Sequence, residues 1–204
     1  TRSIPGCIKG EVMRPFVLTR TYFQRLNRYI SPIIATAIIV LFVRVFVADS
    51  YKIPSNSMQP TLIEGDHVLG LKIVYGIKIP FGGPYIRFFK PKRSDLVVIK
   101  RVDGNNYIKR VMALSGDTVE MNSGKLKISG KEIIRKFGTD VSKYRYIDND
   151  SAVYREFLGK EFYSVLYSGS KRVEDLPLVK LSKDQLFLLG DNRTNSVDSR
   201  NWGP

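Results

Sequence analysis

The sequence contains very little cysteine and histidine, and this scarcity excludes several kinds of site. Among its 204 residues there is one cysteine, Cys7, and one histidine, His67. A single cysteine excludes a disulfide bond within the chain, and a zinc site built on Cys and His needs about four ligands. We therefore expect no metal site of this kind. Any nucleophile that depends on histidine would have to use His67.

Acidic residues are also scarce. Nineteen Asp and Glu stand against 33 Lys and Arg, which gives a formal net charge of +14. Such a basic surface favours anionic partners, which include lipid head groups, nucleic acid and acidic proteins. Hydrophobic residues make up 43% of the chain, so a packed core is expected rather than global disorder. The length suits one domain with an anchor, but not two large cores.

The chain has one long apolar run, over residues 30–48. Ser31, Thr36 and Arg44 are its polar or charged members. As a helix with a rise of 1.5 Å per residue, residues 30–47 of this run are about 27 Å long, which is just enough to cross a bilayer core. We therefore predict a transmembrane helix at 30–48, with Arg44 near one end, where its head group can reach the interface.

The residues before the run predict how the chain is oriented. Segment 1–29 carries six Lys and Arg and one acid, Glu11. By the positive-inside rule it stays in the cytoplasm, and residues 49–204 form a domain on the far side. A cleaved secretory signal peptide is the alternative. It is disfavoured because the basic flank is long, the run exceeds a usual signal core, and no small-x-small cleavage site follows.

Beyond residue 48 the pattern predicts a mostly β domain. Short runs rich in Val, Ile, Leu, Phe and Tyr are separated by Gly, Asn, Asp and Pro. Hairpins are expected around residues 122–124 and 129–130. Residues 76–93 have no clear period and are predicted to form a loop. Residues 135–180 are polar with scattered aromatic side chains, and the pattern leaves a second strand set and a long excursion equally open.

The first of three segments with chemical potential is PSNSMQPTL, residues 54–62. Its prolines fix the backbone on both sides, and Ser55 and Asn56 suit a turn. Such a turn can direct the Ser57 N–H and the Ser55 hydroxyl at one point, which is the layout of an oxyanion hole. An ordinary Ser/Asn/Pro turn is the alternative, and it is favoured while the segment is considered alone.

The second segment, NYIKRVMALSGD, contains Lys109 in a run typical of a strand, with Tyr107 and Val111 on the same face. A lysine on an apolar face loses hydration, so its pKa falls and its neutral amine can accept a proton from a serine hydroxyl. Ser–Lys pairs are variants of the serine-protease triad. The alternative is a lysine exposed to water, with Ile108 and Met112 in the core, which is the commoner arrangement.

The third segment, GDNRTNSVDSRNWG, is too polar for a strand and directly follows the apolar run QLFLLG. Asp198 and Arg200 can pair, and Asn and Asp side chains can satisfy the backbone of a loop. A hydrophilic surface loop is one interpretation. Nucleic-acid contact is disfavoured because the charges are of mixed sign. The functional interpretation is a loop that packs inward and holds Lys109 through Ser196.

Together the segments IPSNSMQPTL, YIKRVMALSGD and GDNRTNSVDSR, in this order after an apolar helix, resemble those of type I signal peptidase, the bacterial leader peptidase. The resemblance is close over residues 51–120 and 184–203 and faint over 121–183. It implies an antiparallel β-sheet catalytic domain with one N-terminal transmembrane helix. It also implies a location in the bacterial cytoplasmic (inner) membrane, the catalytic domain lying on the outer, periplasmic side, with no cofactor, metal or nucleic acid.

The resemblance further implies a serine endopeptidase that removes N-terminal signal peptides from secreted preproteins. Cleavage would follow small residues at positions −1 and −3, and would proceed through an acyl-enzyme. By matching position, Ser57 would be the nucleophile, Lys109 the general base and Ser55 the oxyanion donor, joined by the Ser57 N–H. Supporting roles would fall to Ser196, Asp198 and Arg200. The residues that would line the substrate pockets are Ile53, Pro54, Met58, Leu62, Tyr107 and Ile108.

Two departures from the family pattern stand out. Ser115 occupies a position where the family often has proline, which affects only a turn. The family continues past Trp202 and Gly203 into a further strand, so we expect a chain truncated at its C-terminus. The expected partners are preprotein signal peptides and anionic lipid head groups, with the chain as a monomer.

Two other functions compete with this interpretation. A self-cleaving Ser–Lys protease of the repressor type would need a DNA-binding domain upstream, where residues 1–48 offer a membrane span instead. A membrane-anchored β module could bind anionic lipid or nucleic acid through its charge alone. Its binding would fall steeply with salt and would not depend on Ser57.

Overall fold

The computed structural model describes residues 20–78, 85–139, 147–148, 150–169 and 171–204. The chain divides into two compact units, Thr1–Val45 and Phe46–Pro204.

The first unit contains a long apolar helix, α1, over Arg20–Phe42, and a π-helical turn follows at Val43–Val47. The stretch Arg25–Val47 is long and apolar enough to cross a membrane, and its most apolar part contains no buried residue. An exposed helix that is apolar on all sides needs apolar surroundings, so it is consistent with membrane anchoring. The run predicted to be helical, residues 30–48, is helical up to residue 47. Its last residue instead begins a strand.

The second unit is built from short antiparallel strands. Their bounds are β1 Ala48–Lys52, β2 His67–Leu71, β3 Gly76–Lys78, β4 Tyr85–Arg87, β5 Leu96–Lys100, β6 Asn106–Ala113, β7 Thr118–Asn122, β8 Lys125–Ile128, β9 Lys131–Glu132, β10 Ile134–Thr139, β11 Ser151–Leu158, β12 Glu161–Ser168, β13 Leu176–Lys180 and β14 Phe187–Leu189. Single turns of 3₁₀ helix lie at Asn56–Met58 and Lys72–Val74, and a short helix, α2, at Ser199–Trp202.

The strands pair into small sheets in the orders β1-β2, β3-β4, β14-β6-β5, β13-β7-β8-β9 and β10-β11-β12. Every strand pair in them is antiparallel. The predicted fold class, a mostly β antiparallel domain with one N-terminal apolar helix, is confirmed.

Both predicted hairpins form. Ser123 and Gly124 join β7 to β8 with φ values of 50° and 73°, and Ser129 and Gly130 join β8 to β9 with 49° and 76°. Two successive positive φ values favour a turn whose twist matches that of the strands, and glycine adopts the second without strain.

Two regions differ from or complete the sequence interpretation. The predicted loop at residues 76–93 contains the hairpin of β3 and β4, although residues 79–84 lie outside the described part. Residues 135–180, which the sequence left open, form most of the sheet β10-β11-β12 and the strand β13, which pairs with β7. Within that region, residues 140–146, 149 and 170 lie outside the described part.

Strand β6 is central to the core. Met112 and Ala113 belong to the larger cluster of buried apolar side chains, with partners from β7, β8, β12 and β14. Val111 belongs to a smaller cluster with Val97 and Leu188. Because β6 is buried on both faces here, its preceding residues Lys109 and Arg110 are also drawn into the interior.

Candidate active site

Ser57 lies in the serine turn, the segment from Pro54 to Pro60 that contains the 3₁₀ helix Asn56–Met58. Ile53 and Met58 are almost fully buried, and they anchor the turn in the domain. The Ile53 N–H donates to Asp66 O at 2.8 Å, and Gly65 N–H donates to Ile53 O at 2.9 Å. The turn is thus fixed on both sides of Ser57, whose own side chain is only half-buried.

Lys109 projects from β6 toward this turn. It is 1% exposed, and its Nζ donates to Ser57 Oγ at 2.8 Å. Burial lowers the pKa of Lys109 to about 8, while the Asp198 carboxylate acts in the opposite direction and the Arg200 guanidinium adds to the lowering. About a tenth of such an amine is neutral at neutral pH. The alternative of a lysine exposed to water is therefore wrong.

Ser55 lies beside the same oxygen atom. Its Oγ donates to Ser57 Oγ at 3.3 Å, and its side chain is exposed. A hydroxyl rotates to suit its partner, so the Ser55 hydroxyl can also donate to an oxygen atom that reaches Ser57 from solvent.

The third segment forms the polar loop, residues 190–198, and leads into α2. Asp198 is fully buried, and both of its oxygens accept from Arg200, from Nε at 2.8 Å and from Nη2 at 2.8 Å. It also accepts from the Gly190 N–H at 3.0 Å and caps α2. Burial raises the pKa of Asp198, but the Arg200 guanidinium and these hydrogen bonds outweigh that effect and hold the pKa below its usual range.

Ser196 does not make the hydrogen bond to Lys109 that the sequence led us to expect. Its Oγ is buried and has no hydrogen-bond partner. It contributes weakly to lowering the pKa of Asp198, so it lies near that carboxylate, although outside hydrogen-bond geometry. A Cβ atom at Gly190 would collide with the Ser196 hydroxyl and lie 2.5 Å from Ser57 O. The loop can approach the serine turn this closely only with glycine at that position.

Sequence reasoning missed a second buried cation beside Lys109. Arg110 Nε and Nη2 donate to the two carboxylate oxygens of Asp191 at 2.8 and 2.6 Å, and Nη1 donates to Ser94 O at 2.8 Å. The Thr61 hydroxyl also donates to Asp191, and the guanidinium lies 4.4 Å from the centre of the Tyr163 ring. The only signal in the sequence was the adjacency of Arg110 to Lys109.

The polar loop contains two further contacts that the sequence did not reveal. The Asn192 side chain donates to Asn56 O at 3.1 Å, and its backbone N–H donates to Ser57 O at 3.1 Å. The neighbouring Arg193 is fully buried and donates to Glu156 on β11 at 2.7 Å. Loop asparagines and arginines are common, so composition alone could not distinguish these two.

A cavity of about 460 Å³ opens beside Ser57. Its lining contains five of the six predicted pocket residues, Ile53, Pro54, Met58, Tyr107 and Ile108, and further residues from 51–57 and 105–106. Leu62 is not part of the lining, and its N–H instead donates to Met58 O at 3.0 Å. Among the described residues there is no group of three or more His, Cys, Asp or Glu that could hold a metal ion.

The first residues of β6, which line this cavity, have a partner strand on one edge only among the strands that the structure describes. Residues 106–110 pair with β5 on one side. On the other side the pairing with β14 begins only at Arg110, opposite Leu189. The first residues of β6 therefore have a free edge with respect to the strands in the described part of the chain.

Comparison with known proteins points to one family. The family model for "Signal peptidase, peptidase S26" matches residues 26–204. A signal peptidase I of Buchnera aphidicola (subsp. Baizongia pistaciae) is 34% identical over 81% of this chain and 68% of its own length. One of Pseudomonas fluorescens is 34% identical over 98% of this chain and 72% of its own length, and one of Pseudomonas aeruginosa is 36% identical over 80% and 58%.

A solved structure of a signal peptidase I from Enterococcus faecalis aligns with 24% identity over 56% of this chain and 88% of that chain. Its TM-score of 0.34 is too low for a comparison of the two architectures.

Proposed function

The chain belongs to the signal peptidase family S26, a family of serine proteases that remove signal peptides, and from this premise we propose that it cleaves preproteins with a Ser57–Lys109 dyad. The observation that carries the proposal is the 2.8 Å contact between Lys109 Nζ and Ser57 Oγ, made by a lysine that is 1% exposed. Family membership sets aside both competing interpretations, the repressor-type protease and the β module that only binds.

In the first half of the reaction, neutral Lys109 accepts the proton of the Ser57 hydroxyl while Oγ attacks the carbonyl carbon of the scissile bond. The carbonyl oxygen becomes an oxyanion, which accepts hydrogen bonds from the Ser55 hydroxyl and the Ser57 N–H. When the C–N bond breaks, the Lys109 ammonium gives its proton to the leaving amine. The mature protein departs, and the signal peptide remains as an ester on Ser57.

In the second half, Lys109 is neutral again and takes a proton from a water molecule, which attacks the ester carbonyl. Collapse of the second tetrahedral intermediate returns the proton to Ser57 Oγ and releases the signal peptide. Asp198 stabilises the ammonium form of Lys109 and Arg200 destabilises it. Burial is the main cause of the lowered pKa, and these two opposed charges adjust it, so that the base lies near the pKa that proton transfer in both directions requires. The Ser196 backbone carbonyl accepts from Arg200 Nη2 at 3.4 Å, which links the loop to this pair.

For the substrate, we propose an extended segment that adds to the free edge of β6 at residues 106–109. Alternate side chains of an extended segment point to the same side, so residues −1 and −3 would both face the cavity. Ile53, Pro54, Met58, Tyr107 and Ile108 leave about 460 Å³ there, shared with the substrate backbone, which favours small side chains of the Ala-x-Ala type.

The proposed topology follows from charge and hydropathy. Residues 1–29 would lie in the cytoplasm, 30–48 would form a single span of the bacterial inner membrane, and 49–204 would form the extracytoplasmic catalytic domain. The net charge of +14 favours anionic lipid head groups as a second partner. We propose that the chain acts as a monomer, because one chain supplies both members of the dyad.

Incubation of the full chain in detergent with a preprotein tests this function. Ser57→Ala and Lys109→Ala should each lower kcat/KM by about 10³-fold or more, since the serine is inert without its base. Ser164→Ala on β12 and Lys180→Ala on β13 are controls that should retain normal turnover. Near-normal turnover by Lys109→Ala would exclude the dyad. Mass spectrometry of the products should show a single cut after a small residue.

A further inference from the structure

The peptide unit between Asn56 and Ser57 is held by its carbonyl end. Asn56 O accepts from Asn192 Nδ2 at 3.1 Å and from the Gln59 N–H at 3.2 Å. A trans peptide is planar, and its C=O and N–H groups point in opposite directions. A group that fixes the direction of the Asn56 carbonyl therefore also fixes the direction of the Ser57 N–H, which is the proposed backbone donor to the oxyanion.

The next peptide unit is held by the same residue. The backbone N–H of Asn192 donates to Ser57 O at 3.1 Å. Asn192 thus contacts both peptide planes that flank the Ser57 Cα atom. Because these planes define the backbone torsions of Ser57, they also set the direction in which its side chain leaves the turn.

Asn192 is itself immobilised from the opposite side. It is 5% exposed and lies in a parallel β-bridge to Leu166 of β12. The Leu166 N–H donates to Asp191 O at 2.9 Å, and the Arg193 N–H donates to Leu166 O at 2.8 Å. Arg193 is in turn bound to Glu156 of β11 at 2.7 Å. The contacts on Ser57 therefore rest on two strands of the sheet β10-β11-β12.

We propose that Asn192 is a positioning residue for the oxyanion hole, which it aligns by holding the Asn56 carbonyl. The inference rests on the proposed function of Ser57 as nucleophile. A carbonyl that accepts hydrogen bonds polarises its peptide unit, so the N–H at the other end becomes a better donor. The stronger hydrogen bond stabilises the negative charge that develops on the substrate oxygen in the transition state. It therefore raises kcat and has little effect on substrate binding.

Asn192→Ala and Asn192→Asp test this directly. Neither side chain can donate to Asn56 O at neutral pH, while the backbone bond from residue 192 to Ser57 O is retained in both. We expect kcat to fall about 10- to 100-fold with KM changed less than about twofold, because removing a direct oxyanion donor costs about 10²- to 10³-fold and this effect is indirect. Asn195→Ala, an exposed asparagine of the same loop, is the matched control and should keep wild-type kcat.

A second measurement separates alignment from a general loss of structure. A substrate-like peptide boronate forms a tetrahedral anionic adduct with the serine, whereas the released signal peptide forms none. In Asn192→Ala, the affinity for the boronate should fall in parallel with kcat/KM, and the affinity for the released peptide should stay within about twofold. An equal loss of both affinities overturns the proposal, since it would report a deformed cavity.

Wild-type kcat in both Asn192 variants also overturns the proposal. That result would not contradict the proposed Ser57–Lys109 dyad, provided that Ser57→Ala is inactive. Activity in Ser57→Ala would instead overturn the proposed function itself, so the two failures are distinguishable.

Discussion

Two neighbouring residues of β6, Lys109 and Arg110, bring positive charge into the interior on opposite faces of one strand. On one face, Arg110 binds both carboxylate oxygens of Asp191. On the other, Lys109 forms no ion pair with any residue that the structure describes, and its hydrogen-bond partner there is the Ser57 hydroxyl.

The difference shows how one strand can hold a paired cation, Arg110, beside Lys109, a cation with a lowered pKa and no ion pair in the described part of the chain. A guanidinium keeps its proton at any accessible pH, and a bidentate carboxylate offsets its loss of hydration. An ammonium without a counter-ion is destabilised by burial, and its pKa falls to about 8. The pleat of the strand directs these adjacent side chains to opposite faces, and the Asp191 carboxylate that binds Arg110 is the smallest of the influences on the pKa of Lys109.

The largest expected effect on activity comes from placing arginine at position 109 as well as at position 110. Lys109→Arg places a group that cannot lose its proton at the position of the proposed base, so kcat/KM should fall about 10³-fold or more. In the wild type, kcat/KM should rise about tenfold per pH unit below the Lys109 pKa of about 8 and level off above it, because the neutral amine is the proposed active form.

A pH–rate profile of both proteins measures this, with Lys180→Arg as the control. Activity that returns in Lys109→Arg at alkaline pH would contradict the assignment of Lys109 as the base.

The next effect is on stability, and the same replacement should act with opposite sign at the two positions. Arg110→Met leaves the Asp191 carboxylate buried and unpaired, and should lower the free energy of unfolding by about 3–5 kcal/mol. Lys109→Met removes a cation whose pKa falls from 10.5 to about 8 on folding, and should raise the free energy of unfolding at neutral pH by about 3 kcal/mol.

The pH dependence of stability shows whether burial of the Lys109 ammonium destabilises the folded chain. Between pH 8 and 10.5 the unfolded chain binds the Lys109 proton and the folded chain does not, so wild-type stability should rise with pH in that window. Lys109→Met should lack this rise. Urea unfolding in detergent, followed by the fluorescence of the single tryptophan, Trp202, measures all three proteins. A loss of stability in both variants would show that Lys109 is not destabilised by burial.

The smallest effect concerns the ion pair behind the base. The Arg200 guanidinium lowers the pKa of Lys109 and the Asp198 carboxylate raises it. Arg200→Met should therefore move the midpoint of the pH–rate profile upward, by less than about one pH unit. Arg93→Met, which breaks an exposed pair with Asp117, is the control and should leave the midpoint in place. A downward shift with Arg200→Met would show that the pair acts through packing instead.

The features that the sequence predicted correctly depend on residues close together in the chain. Glycine at the second turn position predicted the hairpins at Gly124 and Gly130, and unbroken hydropathy predicted the apolar helix. Tyr107, Lys109 and Val111 share one face by strand alternation. The sequence alone did not show that this face is buried, because burial depends on strands far away in the chain.

The missed parts depend on distant partners. Asn192 contacts Asn56 across 136 positions, and Arg110 contacts Asp191 across 81. No local pattern distinguishes these residues from those of an ordinary polar loop. The expected contact between Ser196 and Lys109 was the functional interpretation of the polar loop, and the structure has instead a Ser196 hydroxyl without a partner near Asp198.

The long separation of these contacts has a consequence for the timing of activity during synthesis. Ser57 and Lys109 are 52 positions apart, and the residues that hold the serine turn and balance the charge of the base follow residue 189. A nascent chain that has been made only as far as β14 lacks Asn192, Asp198 and Arg200. We therefore expect the unfinished chain to be inactive, and its activity to begin only when the polar loop has been translated and has docked.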